Sequence, residues 1–333
     1  MDIKVTVIVP AYNEELTIQR CIESLINQTV TPNIIVVNDG STDKTSEKLL
    51  KYSTLSNFLL INQTNQGVSA ARNRGIKAAK TELITFVDAD DYVEENFIKV
   101  LLGGYLKHKN IDLSVCNYSI NKQHSNSCGN FRSGVVNRVE YFNSLISDGG
   151  ANGFVYNKMF RKSIIEEYNI WFDKHIAIGE DFLFCFLYGG HCDKIVFNNS
   201  ITIHYLPTSQ GISDTMQIKG RFSDKIFDYF FANVKIINFL TSLNTSNNKY
   251  IESIINKEIY RTSIAATTII RKVYLYQEQK YFHNLRQLKD FLRDNLRIIM
   301  KNKNISIGDK IKIFMSIYFP ILLKLIDMKK ING

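Results

Sequence analysis

Asp88, Asp90 and Asp91 stand directly after an apolar run, Leu83 to Val87, in the stretch Phe86-Val87-Asp88-Ala89-Asp90-Asp91. Such a run reads as a buried strand, and acidic groups just past its carboxyl end lie where open α/β sheets bind ligands. Two carboxylates separated by one residue on a tight loop can ligate a hard divalent ion and leave positions for phosphate oxygens and water. That chemistry outlines a nucleotide site, although Asp-rich turns also occur as plain solvated turns. A second acidic pair, Gly179-Glu180-Asp181, precedes the apolar run Phe182 to Leu187. Acids at a helix start favour the helix dipole on their own account, so this pair reads either as helix chemistry or as an acid–base centre.

The elements that must position these groups follow from local pattern. Val5 to Val9, Ile34 to Val37, Phe58 to Ile61, Leu83 to Val87 and Ile111 to Cys116 are short β-rich runs. Between them, Glu15 to Gln28, Val68 to Lys80 and Val93 to His108 have helical spacing. Alternation of this kind predicts an α/β fold whose sheet is mainly parallel and covered by helices on both faces. The middle, from about Asn121 to Pro207, reads as irregular, and from about Lys219 onward the pattern is helical.

Length and composition fit one large catalytic domain plus an appendage: the chain has 333 residues, of which 45% are hydrophobic. The net charge of +9 is unevenly spread. Residues 1–218 hold 20 Lys and Arg against 23 Asp and Glu, whereas residues 219–333 hold 21 against 9. The basic tail points to an anionic partner; charge alone does not choose between nucleic acid and an anionic membrane surface, and with the lysine-flanked stretch that follows the membrane surface, not nucleic acid, is expected. Ile313 to Leu323 forms an apolar stretch interrupted by Ser316 and Pro320 and flanked by Lys310, Lys312, Lys324, Lys329 and Lys330. It is short for a bilayer span, which takes about 20 apolar residues, and reads as a helix lying in the headgroup plane or as a core-docking or dimer-forming helix. The start, Met1-Asp2-Ile3-Lys4, enters a strand-like run without a signal-peptide pattern, so a cytoplasmic location at the inner face of the membrane is expected. Cys21, Cys116, Cys128, Cys185 and Cys192 show no metal or disulfide spacing and read as reduced thiols.

Four segments occur in order at the ends of successive strands: Val7-Ile8-Val9-Pro10-Ala11-Tyr12-Asn13-Glu14-Glu15, Val37-Asn38-Asp39-Gly40-Ser41-Thr42-Asp43, Asn65-Gln66-Gly67 with Ala71-Arg72-Asn73-Arg74-Gly75, and Phe86 to Asp91. Together they make the chain resemble a family 2 glycosyltransferase with the GT-A fold, of the type that builds bacterial surface polysaccharides. The resemblance covers roughly residues 3–215. It divides the chain into a GT-A domain over 1–218, with a nucleotide-binding half (1–117) and an acceptor-binding half (118–218), and a helical basic region over 219–333.

The resemblance implies an inverting transfer from a nucleotide sugar, in first place a UDP-sugar, aided by Mn²⁺ or Mg²⁺. On the donor side, the Tyr12 ring could stack on the base and the backbone near Pro10 and Ala11 could pair with its edge. Asp39 could accept from a uracil imide N–H, while Asp43 suits a helix cap better. Glu14 is the expected ribose partner, with Glu15 as a competitor. Asn65 and Gly67 open the loop into the helix that carries Arg72, whose guanidinium is expected to face the diphosphate. Asp88 and Ala89 are expected at the ribose and metal shell, Asp90 as metal ligand with Asp88, and His204 as an additional ligand.

On the acceptor side, Asp181 is the expected base. Glu180, Asp91, Tyr156 and Lys158 are expected near the acceptor, with Asp91 alternatively supporting its loop. Trp171 reads equally as core or platform, and Thr208 to Ser213 as a lid over the donor. The expected acceptor is a lipid-linked glycan of capsule, lipopolysaccharide or another surface polymer. Two rivals remain, a sugar nucleotidyltransferase and a non-catalytic nucleotide-sugar-binding protein. The former wants a Gly-rich phosphate loop where Pro10-Ala11-Tyr12-Asn13 stands, and the latter leaves the Asp88, Asp90 and Asp181 set without a purpose.

Overall fold

The computed structural model describes residues 4–120, 129, 131–205, 224–276 and 281–324. It divides into two units, Met1–Gly211 and Ile212–Gly333. In the first unit the chain alternates strand and helix: β1 Val5–Ala11, α1 Ile18–Ile26, β2 Asn33–Asn38, α2 Thr45–Leu50, β3 Phe58–Asn62, α3 Val68–Ala78, β4 Leu83–Phe86. It continues with β5 Tyr92–Val93, α4 Phe97–Lys107, β6 Leu113–Ile120, β7 Gly134–Val136, α5 Arg138–Ile146, β8 Lys158–Arg161, α6 Lys162–Glu167, α7 Glu180–Gly189 and β9 Ile195–Tyr205.

The strands form one sheet in the order β3-β2-β1-β4-β8-β6-β9-β5, with β7 paired to β9. β1 lies between β2 and β4 with all three parallel, so Ile8 faces Ile35 on one side and Phe86 on the other. β1 is apolar and buried throughout apart from the buried Thr6, because both faces are covered. Val5, Val7, Val9 and Ala11 share a core with Ile18, Cys21, Ile22 and Leu25 of α1 and with Phe97, Ile98 and Leu101 of α4. On the opposite face α3 crosses β1 closely enough that a Cβ on Gly75 would collide with the Ile8 side chain. Glycine is required there by the approach of helix to strand.

Beyond β4 the sheet becomes mixed, since β8 runs antiparallel to both β4 and β6 while β9 returns parallel to β6. The stretch expected to be irregular, Asn121 to Pro207, therefore contains β7, α5, β8, α6, α7 and β9. An aromatic cluster holds this half to the first. Phe86 of β4 meets Phe160 at 5.9 Å and Phe172 at 5.4 Å, and Phe172 stacks on Phe184 of α7 at 4.1 Å. Edge and stacked contacts of this kind each add about 1 kcal/mol beyond area burial. They bring the N-terminus of α7 to the carboxyl end of β4.

The second unit is helical: α8 Ile226–Leu243, α9 Lys249–Leu275, α10 Asn284–Lys301 and α11 Ile307–Tyr318. Asn248 caps α9 by accepting from Tyr250 N and Ile251 N, and Ser306 caps α11 by accepting from Asp309 N. Its core draws Phe227 and Phe230 from α8, Ile269 and Val273 from α9, Leu288 and Leu292 from α10 and Ile313 and Ile317 from α11. Among the described residues no helix is long and apolar enough to cross a membrane. Cys21, Cys116, Cys185 and Cys192 are free and buried.

Candidate active site

The loops at the carboxyl ends of β1 and β2 are tied together by side chains acting as backbone caps. Asp39 N donates to Ala11 O at 2.8 Å, so that carbonyl is already engaged by its own sheet. The Asp39 carboxylate is buried and accepts three bonds: Gln63 Nε2 at 2.7 Å and Gln66 N at 2.9 Å on Oδ1, and Gly67 N at 2.8 Å on Oδ2. Oδ2 keeps capacity for one further donor. Gly67 sits at φ +87°, a left-handed conformation that turns the chain into α3, and exposed Asn65 precedes it. Asn13 Oδ1 accepts from Thr42 N at 2.8 Å, and Asp43, one residue ahead of the α2 cap, accepts from Thr45 N at 2.9 Å. Above this floor of Pro10 and Ala11, the Tyr12 ring is 46% exposed and available to a flat ligand. The Glu14 carboxylate accepts from Thr17 Oγ1 at 2.7 Å. Burial pushes Glu14 up from the usual carboxylate range.

Arg72 of α3, expected to face the diphosphate, meets carboxylates from three positions. The side chain is buried, and Nη2 lies 2.9 Å from Asp88 Oδ1 while Nη1 lies 3.0 Å from Glu180 Oε1 and 2.5 Å from Asp181 Oδ1. Its plane rests 5.3 Å from the Phe172 ring. Both terminal nitrogens are thus committed to carboxylates, and the guanidinium joins the two acidic centres instead of presenting an open fork to a diphosphate. Burial opposes the arginine charge, but Asp181, Asp88 and Glu180 outweigh it and hold the guanidinium firmly protonated. In return, burial drives Asp181 well above the ordinary aspartate range despite Arg72, and raises Glu180 likewise.

Beside this clamp, burial together with Asp88 and Glu14 pushes the Asp90 carboxyl up to about 7, with Arg20 pulling against them. Arg20, absent from the sequence reading, donates Nη2 to the Asp90 carbonyl at 2.6 Å and lies over the Tyr92 ring. A cluster holding more negative charge than its own cations balance has the donor chemistry of a hard divalent ion. Asp88 and Asp90 are the residues that fit one. Among the described residues no group of three or more His, Cys, Asp or Glu side chains is arranged to hold a metal ion by itself. Ala89 between them is buried, and Asp91 is fully buried with its N–H on Asp88 O at 3.1 Å, which favours its loop-supporting alternative.

Three other expected site residues are buried with partners of their own. His204 is 1% exposed, with Nδ1 2.7 Å from Ser119 Oγ and Nε2 2.5 Å from Glu94 Oε1. Both ring nitrogens are engaged, and a metal ligand needs a free lone pair, so this arrangement does not support the ligand role. Lys158, expected beside the acceptor, is 0% exposed and caged by backbone carbonyls. Tyr156, expected as an acceptor platform, is itself buried; the ring stacked on it at 5.0 Å, Phe154, is 39% exposed. Phe154, Arg20 and Glu94 carry no local motif, and only the fold reveals them. Trp171 is peripheral, under Lys77 and bonded to Asn169. Thr208 to Ser213 lies outside the described residues.

The sheet, its strand order and the carboxylates at its carboxyl edge define a GT-A type α/β domain. The family model for Glycosyl transferase family 2 matches residues 6–168. The domain belongs to that family. The chain is 35% identical over 175 residues to the putative glycosyltransferase EpsH of Bacillus subtilis, covering 50% of each chain. It is 27% identical over 319 residues to the poly(ribitol-phosphate) beta-N-acetylglucosaminyltransferase TarP of Staphylococcus aureus, covering 93% of this chain and 85% of that one. The crystal structure of S. aureus TarS 1-349 in complex with UDP-GlcNAc superposes with a TM-score of 0.59 at 18% identity, over 88% of this chain and 92% of that one. At that identity the likeness speaks for the fold. The matches to EpsH, GlyA and EpsJ span only 50%, 17% and 53% of those relatives.

Proposed function

We propose that the chain is an inverting, metal-dependent glycosyltransferase that moves a sugar from a UDP-sugar to a hydroxyl of a surface-polymer acceptor. The observation that carries this reading is the Arg72 clamp, which brings Asp88 and Asp181, 93 positions apart in the sequence, onto one guanidinium. A nucleotide-binding centre and a base centre are thereby held at a fixed spacing. UDP-GlcNAc is the first donor to try, because TarP, similar over 93% of this chain, is by name a beta-N-acetylglucosaminyltransferase. In this reading residues 1–117 hold the nucleotide and residues 118–218 the acceptor.

Tyr12 stacks on the uracil and the remaining Asp39 lone pair takes the imide N–H. Glu14 meets the ribose. Bound by Asp88 and Asp90, Mn²⁺ or Mg²⁺ would neutralise the charge that develops on the leaving diphosphate. The acceptor oxygen forms its bond to the anomeric carbon as the sugar–phosphate bond breaks on the opposite face, and its proton passes to an Asp181 carboxylate oxygen. Burial makes Asp181 a stronger base than a solvated aspartate, while Arg72 keeps the charged form accessible. Asp181→Asn is expected to lower transfer by about 10²- to 10⁴-fold with UDP affinity unchanged. Loss of UDP binding together with transfer would remove Asp181 from the base role.

A location at the inner membrane face, on a lipid-linked acceptor, draws on the second unit. Ile307, Ile311, Phe314 and Tyr318 are exposed at helical spacing along α11, next to Lys310 and Lys312. An apolar stripe edged by lysines suits an anionic lipid surface. Cosedimentation with phosphatidylglycerol vesicles is expected and should weaken in Ile311→Glu/Phe314→Glu. A dimer in solution without vesicle binding would favour protein association through this face instead.

A further inference from the structure

The segment from Ala151 to Asn157 turns its carbonyls inward onto one side chain. Lys158 Nζ lies 2.6 Å from Phe154 O, 2.8 Å from Asn152 O, 2.8 Å from Asn157 Oδ1 and 3.3 Å from Ala151 O. An ammonium has three protons, so these neutral acceptors saturate it without any carboxylate. Asn152 sits at φ +50°, an uncommon conformation for a side-chain-bearing residue that costs on the order of 1 kcal/mol. Asn157 closes the loop by donating Nδ2 to Cys116 O at 3.1 Å and Ala151 O at 3.2 Å.

The loop so gathered leans on the N-terminal turn of α7. A Cβ at Gly153 would collide with the Phe182 ring, and Cys185 Sγ approaches Phe154 O at 3.7 Å. Phe182 directly follows Asp181, so the loop packs against the helical turn that carries this carboxylate. Burial pushes the Lys158 ammonium down from the usual lysine range, so the cage is what retains its charge. Filling such a site with an apolar side chain and a differently folded loop is generally no costlier than burying a cation. The cation is therefore explained by the loop shape it enforces.

We propose that Lys158 is a positioning residue for glycosyl transfer, its caged ammonium acting as an internal monovalent cation that gathers the 151–157 carbonyls and so holds this loop against the first turn of α7, which carries Asp181. This rests on Asp181 being the base. Lys158→Met keeps the volume and removes the charge. It is expected to lower kcat about 10²-fold, the scale of a small misplacement of a catalytic group, with the donor KM and UDP affinity unchanged. Amide exchange in residues 151–157, Val155 included, should accelerate. In Lys158→Ala, propylammonium or butylammonium should restore kcat saturably, whereas tetramethylammonium, which has no N–H, should not. Wild-type kcat in Lys158→Met overturns the proposal, as does loss of UDP binding along with transfer. A folded Lys158→Ala enzyme that no alkylammonium rescues also overturns it. The exchange measurement is independent of activity: unchanged exchange sinks the cage even in an active enzyme. A wild type inert with every donor defeats the transferase reading while accelerated exchange still supports the cage.

Discussion

Two buried cations organise the first unit, and they are satisfied in opposite ways. Arg72 is balanced by carboxylates from β4's end and from α7, distant in sequence, whereas Lys158 is balanced by neutral carbonyls of its own neighbouring loop. The arginine's rigid fork suits planar carboxylates presented from several directions; the lysine's point charge suits converging carbonyl dipoles. Arg72 fixes which chain segments meet, and Lys158 fixes the local shape of one of them.

The sharpest way to break that contrast is Arg72→Met, which strands Asp88, Glu180 and Asp181 without their cation. Removing one partner of a buried charge pair costs about 3–5 kcal/mol, so a large drop in melting temperature and loss of transfer are expected. Arg72→Lys keeps charge but reaches fewer oxygens, and its melting temperature should fall between the two in thermal unfolding. Equal stability of Arg72→Met and wild type would show that the clamp is not a structural joint.

A buried acid in the helical unit gives a control for these buried charges. Glu258 is buried with Oε2 2.9 Å from Arg261 Nη1, and burial raises its carboxyl above the usual range. The raised folded value means its contribution is fully present below the unfolded value near 4.5 and is lost as pH rises through the folded value. Glu258→Gln should flatten that loss by about 1 kcal/mol, seen as a higher melting temperature than wild type at pH 8 but not at pH 4. A Glu258→Gln curve parallel to wild type across this range would contradict it. A smaller effect again is expected at the exposed rim. Tyr12→Ala should weaken UDP binding by about 1 kcal/mol, the lower end of aromatic–base stacking, in a calorimetric titration. Unchanged affinity would leave Tyr12 as a cover over the sheet.

The parts of this arrangement that were legible are those written locally. The apolar runs of β1 to β4 and the turn residues at their ends reveal a sheet edge with Asp39, Asp88 and Asp90 on it. β8 and β9 were not legible: β8 is four residues carrying Lys158 and Arg161, and Asn198 to Ser200 interrupts the apolar pattern of β9. Arg72 looks free in sequence because its partners Glu180 and Asp181 come from 108 and 109 residues away. Tyr156 and Lys158 read in sequence as acceptor-side residues, and only the folded loop turns the lysine inward. His204 has the right chemistry for a metal, but the sequence does not reveal that Ser119 and Glu94 occupy its nitrogens.

The most direct test of the central claim is nucleotide release from a panel of UDP-glucose, UDP-galactose, their N-acetyl forms and GDP- and dTDP-sugars, each with Mn²⁺ or EDTA. Metal-dependent release confined to UDP-sugars, and lost in Asp90→Asn, is the predicted result. UDP-sugar turnover that is equal with Mn²⁺ and with EDTA would contradict the metal assignment, and the absence of both binding and release with every donor would contradict the transferase itself.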